Sequence, residues 1–211
     1  MSYRKRSGKV KVPSFDPEPS GRFAGRVLAE TRTPGALIGR VALWVWLEDL
    51  SQHPFTKDLD IAIGRTSMPL VKTWLDRQNL RTRDLSIGGV NVQYPESGVN
   101  VDFIDRTNKQ YGDLGLLFSE AINAAVASGT TATFCEYEIP VVPPEYLVAM
   151  KIVTQERDDD TDAMRLLEHV DMDLDEIRTI VERHLGPFML AKLESLLRAI
   201  GHSGAKPRGR G

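Results

Sequence analysis

The sequence predicts an α/β portion followed by a helical portion, and three observations carry that expectation. Up to about residue 142, short β-like apolar runs alternate with stretches of helical period. After Pro143-Pro144 nearly every apolar residue falls at the helical period. Breaks such as Gly88-Gly89, Glu96-Ser97-Gly98 and Leu185-Gly186-Pro187 separate the runs. With 211 residues, 41% hydrophobic and 27% charged, the chain can bury a real core and suits one full-sized domain or a domain with an appended bundle.

In chain order, residues 1–20 read as a disordered basic tail, with Pro13, Pro17 and Pro19 among charges, and 202–211 as a second one. The folded part, 21–201, divides at Pro143-Pro144 into 21–142 and 143–201. In the first division, 21–31 reads as a helix, 36–38 as a short strand, and 41–50 as an apolar helix opened by Gly39-Arg40. A strand follows over 58–63, then a helix over 68–79 with Pro69 suited to its first turn. Two β-like runs, 90–94 and 99–104, precede a helix over 113–127 that has Leu114, Leu117, Ala121, Ile122 and Ala125 on one side. Residues 131–142 read as a final extended segment. In the second division, 144–155, 160–170, 174–184 and 187–200 read as helices, Gly186-Pro187 ending the third and starting the fourth. No internal repeat is present.

No window approaches the roughly 20 uninterrupted apolar residues of a membrane span, and no apolar stretch follows the basic N-terminus as a signal peptide requires, so a soluble cytoplasmic protein with no membrane partner is expected. The single cysteine, Cys135, rules out an internal disulfide or a cysteine metal cluster. The net charge of -2 hides an uneven distribution. Arg4, Lys5, Arg6, Lys9, Lys11, Lys206, Arg208 and Arg210 lie in the tails, and the chain without these eight cations has 19 of the 27 bases against 29 acids, near -10. Such arms either contact a polyanion or simply solubilise the chain.

Asp58-Leu59-Asp60 runs straight into Ile61-Ala62-Ile63. In a strand, residues two apart share a face, so the two carboxylates stand together with Leu59 and Ile61 behind them. Carboxylates that close repel unless a cation sits between them, an arrangement suited to Mg²⁺. The same spacing recurs around Asp158–Asp162 and Asp171–Asp175, and what distinguishes the first pair is its apolar strand. Asp102 lies in a second such strand, on the face opposite Val99, Val101 and Phe103. If the strands are neighbours, three carboxylates converge; otherwise they are solvated residues on the exposed side of a half-buried sheet. Upstream, Gly35–Trp44 reads as a short strand, a glycine and an apolar helix, which gathers free N–H groups where a phosphate can sit, or is ordinary packing.

A short strand, glycine at a helix start, an apolar helix, an acid-x-acid strand and a third acid on a later strand resemble the polymerase-β-like nucleotidyltransferase superfamily. The sequence looks most like its minimal members with an appended helical domain, the AbiEii-type nucleotidyltransferase toxins of bacterial toxin–antitoxin and abortive-infection systems. Residues 36–43, 55–63 (FTKDLDIAI) and 99–104 (VNVDFI) carry the resemblance, together with 145–151 and 157–167, which are similar to the family's lysine helix and acid-rich helix start. These cover roughly 35–168.

The resemblance implies a nucleotidyltransferase fold, α/β (α+β), with a mixed sheet flanked by helices and followed by a C-terminal helical bundle. It implies Mg²⁺-dependent, or Mn²⁺-dependent, transfer of a nucleoside monophosphate from an NTP to RNA, with tRNA the leading candidate, or to a protein side chain. A toxin or phage-defence role would bring a cognate antitoxin as partner. Asp58 and Asp60 would bind the metals, and Asp102 would ligate the catalytic metal and help activate the acceptor hydroxyl. Gly39 would let phosphates approach the backbone, and Lys57 falls where Thr-Lys or Thr-Arg is common. Lys151 would reach the triphosphate, unless it is a surface lysine, and Asp162 would fix Lys151 or the helix start. Arg40 departs from the family, which usually carries a small residue there; it either clamps phosphate or fills the pocket. The second case gives the alternative, a catalytically inactive binding module or regulatory partner subunit. His53, His169, His184 and His202 show no ligand spacing, and no GxSxG, Walker A or GxGxxG context occurs. Trp44 and Trp46 belong to the core or to an interface.

Overall fold

Leu59 and Ile61, Val101 and Phe103, and Val90 and Val92 alternate with polar residues along three segments, and each of the six is buried. Lateral pairing of those segments puts all six on one face of a sheet and the polar residues on the other. The computed structural model describes residues 16–93, 100–106, 114–154 and 157–201. Most of both basic tails, with all eight of their cations, His202, the turn 96–98, and Tyr94, Val99, Asp113 and Gln155 at expected element ends lie outside the described residues.

The described elements are α1 (Pro17–Thr31), β1 (Gly35–Ile38), α2 (Gly39–Trp46), β2 (Asp58–Ile63), α3 (Met68–Arg77), β3 (Thr82–Asp84), β4 (Gly89–Gln93), β5 (Asn100–Ile104), α4 (Leu114–Ser128), β6 (Thr131–Phe134), β7 (Tyr137–Pro140), α5 (Pro144–Ile152), α6 (Arg157–His169) and α7 (Leu174–Ala199). The fold is mixed α/β. Five strands form a sheet in the order β1-β2-β5-β4-β3, in which β2 and β5 run parallel and every other neighbour antiparallel. β6 and β7 form a separate hairpin. It joins the main sheet where Val141 bridges Leu37 and the Val142 N–H donates to the Leu37 carbonyl at 3.1 Å.

Helix α1 packs on β2, β5, the hairpin and α3, while α4 covers β1 and β2 and meets α5 and α7. Helices α5, α6 and α7 pack on one another, and α2 touches α5 and α6. One hydrophobic cluster runs through all of this, from Phe23 and Val27 through Leu37 and Phe103 to Leu147 and Leu193. Among the described residues no helix is long and apolar enough to cross a membrane.

Several boundaries differ from expectation for local reasons. Helix α1 starts at Pro17, inside the stretch read as tail, because the Asp16 carboxylate accepts the Glu18 N–H at 3.0 Å and Pro17 occupies the first turn. Helix α2 stops at Trp46, with Leu47 already extended at φ -92°, ψ 108°; Trp46 is tied by its Nε1–H to the Val142 carbonyl at 2.9 Å. The extended segment 131–142 is folded back as a hairpin with Cys135 at φ 50°. Strand β3 has no counterpart in the sequence reading, since Thr82-Arg83-Asp84 has no apolar residue and is exposed throughout. The expected break at Leu185-Gly186-Pro187 is present as a kink, Gly186 taking φ 78°, ψ -178° within α7.

Phe103 is fully buried at the centre of the sheet, between Ile61 and Val90. Phe103→Ala is expected to destabilise the chain by about 3–5 kcal/mol in denaturant unfolding; a loss well under 1 kcal/mol, on the same scale, would contradict its central place.

Candidate active site

The polar face of the sheet is built by register. Asp60 lies opposite Asp102 across the parallel β2–β5 pair, Asp102 opposite Asn91, and Asn91 opposite Arg83. One row along, Asp58 faces Asn100 and Asn100 faces Gln93. Strands lie about 4.8 Å apart and same-face residues about 6.6 Å apart along a strand, so three carboxylates share one small area. Two are held by neighbours: Thr56 Oγ1–H donates to Asp58 Oδ1 at 2.9 Å, and the Asn91 amide donates to Asp102 Oδ1.

Asp60 is pressed against the start of α2. Gly39 takes φ +66°, and a Cβ there would lie 2.0 Å from Asp60 Oδ2, so only glycine fits both the backbone and the space. Its neighbour Ile38 offers no side-chain cap to the first N–H groups of α2. At this end a cavity of about 190 Å³ opens, with Gly39, Asp60, Arg106, Lys151, Thr154 and Asp159 in its wall. The Arg106 guanidinium lies over the Phe118 ring, 5.9 Å from its centre.

Burial, with Asp58 and Asp102 nearby, pushes the Asp60 carboxyl up to about 7, against the partial relief given by Lys151. Asp102 is also raised, by burial first, with the Asn91 hydrogen bond and the Arg83 charge pulling the other way. A carboxyl that holds its proton near neutrality lacks sufficient positive charge around it.

Asp162 contrasts with Asp60. Fully buried on α6, it accepts Arg40 Nε–H at 2.9 Å and Lys151 Nζ–H at 3.1 Å on Oδ2, and Arg165 Nη1–H at 2.9 Å on Oδ1. Arg40 also donates to the Phe55 carbonyl at 2.9 Å and to Asp158 at 3.2 Å. Burial alone would lower its pKa, but Asp162 and Asp158 more than offset this and leave it raised. Lys151 is held between Asp162 and Asp159. One carboxylate thus ties α2, α5 and α6 together.

The structure therefore gathers Asp58, Asp60 and Asp102 on one face, and Gly39, Lys151 and Asp60 around one cavity. Arg40 and Asp162 are outside the cavity wall, and Lys57 is exposed on the bend before β2. Asn91, Arg106 and Arg165 are the neighbours that the sequence reading did not place at the site, whereas Thr56 and Asp159 stand in the stretches 55–63 and 157–167 that carry the resemblance. Asn91 alone carried a signal, as a polar residue between Val90 and Val92. Among the described residues no three carboxylate, imidazole or thiolate groups already close into a metal cage. The donor chemistry nonetheless fits a hard divalent cation, since the acids supply carboxylate oxygens and Asp60 is short of positive charge.

Three outcomes are expected. Asp60 binds its proton more tightly folded than unfolded, so its contribution to stability is full below about pH 4 and lost as pH rises through about 7 in metal-free protein. Asp60→Asn should therefore melt higher than the parent at pH 8 in chelator, by about 2 kcal/mol, and the gain should vanish in acid. Asp162→Ala, which strands three cations, should cost about 2–4 kcal/mol in urea unfolding. Gly39→Ala should lower the melting temperature and displace Asp60; an unchanged melt would refute the close approach.

No family model and no curated protein sequence matches the chain. Solved structures similar to it include an antigenic nucleotidyltransferase-like protein from Paracoccidioides brasiliensis, at 16% identity and TM-score 0.48 over 88% of this chain and 96% of that one. The antibiotic-resistance factor ANT(2'')-Ia is similar at 12% identity and TM-score 0.46, over 88% and 94%. A tRNA nucleotidyltransferase solved with a primer tRNA and an incoming ATP analog is similar at 12% identity and TM-score 0.31, this chain spanning 60% of its length.

Proposed function

We propose that the chain is a nucleotidyltransferase, moving a nucleoside monophosphate from an NTP to an acceptor hydroxyl. The observation that carries the reading is the in-register pair Asp60 and Asp102, with Asp58 beside them, next to a cavity bearing Gly39 at a helix start and Lys151. The N–H groups opening α2 and the Lys151 ammonium suit a triphosphate. Asp58, Asp60 and Asp102 would hold Mg²⁺, or Mn²⁺, which when bound neutralises phosphate charge.

The acceptor oxygen bonds to the α-phosphorus, the bond from that phosphorus to the α,β-bridging oxygen breaks, and pyrophosphate leaves with the electron pair. The acceptor proton passes to Asp102, the carboxylate proposed beside the acceptor hydroxyl, and then to solvent. RNA, with tRNA leading, is the proposed acceptor, and a protein side chain the competing one. A toxin or phage-defence role with a cognate antitoxin rests on the motif resemblance alone. The inactive binding module required Arg40 to fill the phosphate site, and Arg40 is instead engaged by Asp162, Asp158 and the Phe55 carbonyl, which favours the enzyme.

The test offers each of the four α-phosphate-labelled NTPs, with Mg²⁺ or Mn²⁺, to total RNA and total protein. Asp102→Asn and Asp60→Asn should each lower transfer by about 10²–10⁴-fold, and Lys151→Ala by about tenfold or more. A folded parent protein that labels neither pool overturns the reading.

A further inference from the structure

The polar face continues past the carboxylates to β3, the outermost strand of the sheet among the described residues. Arg83 sits in the same lateral row as Asp60, Asp102 and Asn91, and Arg81 follows beside Gln93, whose N–H donates to the Arg81 carbonyl at 3.3 Å. Arg81, Thr82, Arg83, Asn91, Gln93 and Asn100 line an open groove of about 350 Å³ without one apolar side chain. Among the described residues neither arginine is in an ion pair, although the body of the chain is acid-rich.

We infer that this groove binds the acceptor, and that the acceptor is a single-stranded RNA segment with phosphates on Arg81 and Arg83 and a hydroxyl presented to Asp102. The placement of the hydroxyl rests on the nucleotidyl-transfer reading; the phosphate contacts rest on the groove itself. Two guanidinium forks favour phosphate and oppose a cationic acceptor. The three amides, Asn91, Gln93 and Asn100, each present a carbonyl oxygen as well as N–H donors and so match ribose hydroxyls and base edges, which both donate and accept. The row from Arg83 to Asp60 spans three strand spacings, about 14 Å, so one bound strand can reach both the arginines and the carboxylates.

The test is anisotropy of a short fluorescein-labelled single-stranded RNA titrated with the full chain in chelator over a salt series. Polyglutamate serves as competitor, and melting with NTP plus Mg²⁺ as a separate readout. Arg81→Ala/Arg83→Ala, at exposed positions, should keep the parent's melting temperature and its response to NTP plus Mg²⁺. It should lose RNA affinity on the order of tenfold or more, and the slope of log affinity against log salt should fall by about 0.7 per arginine. Both proteins carry the same basic tails, so the difference belongs to the groove. Unchanged RNA affinity and slope in the double variant, polyglutamate bound as tightly as RNA, or no RNA binding by the parent would each overturn the inference. Arginine-dependent RNA binding without any NTP response would sink the transfer reading and leave the groove standing. An NTP response with arginine-independent RNA binding would sink the groove alone.

Discussion

The parallel register of β2 against β5 is the constraint on which the site depends. With Leu59 paired to Val101 and Ile61 to Phe103, the apolar sets of both strands are buried together, and Asp60 and Asp102 are placed side by side on the opposite face. A slip of one residue would turn the acids into the core and the hydrophobes to water, so the energy of the core fixes the geometry of the carboxylates. Gly89 keeps β4 equally close: a Cβ on it would lie 2.1 Å from the Phe103 carbonyl oxygen. Through β4 that closeness puts Asn91 on Asp102.

A second constraint joins the helical part to the sheet. Gly39 and Arg40 are adjacent in sequence but serve opposite surroundings: Gly39 yields its side-chain space to Asp60, while Arg40 reaches across to Asp162 on α6. Lys151 on α5 is bound to the same Asp162 oxygen as Arg40. The start of α2, the cavity lysine and the acid-rich start of α6 are therefore tied together through one carboxylate, and Arg40, which departs from the motif that the sequence resembles, is explained as an anchor between them.

Much of this was legible in the sequence because it rests on short-range periodicity. Alternation alone places Asp58, Asp60 and Asp102 opposite buried hydrophobes, and the strand, glycine and helix order locates Gly39. What was not legible depends on contacts between distant segments. Arg40 and Asp162 are separated by 122 positions, and nothing local to either reports the other. Strand β3 escapes because an edge strand needs no apolar face, only a partner with unpaired N–H and C=O groups. The Asn91 signal was present but silent until β4 was known to lie beside β5.

Asp60 and Asp162 show two ways of carrying a carboxylate inside this fold. Asp162 is surrounded by three cations from its own chain, and its negative charge is answered wherever the protein is folded. Asp60 faces two further acids and a single lysine that already serves Asp159 and Asp162, so its charge is only partly answered, and its proton affinity rises as a consequence. A structural acid would gain by the first arrangement. Retaining the second costs stability at neutral pH, a cost that positive charge brought from outside the chain would relieve, as the proposed metal-dependent transfer requires.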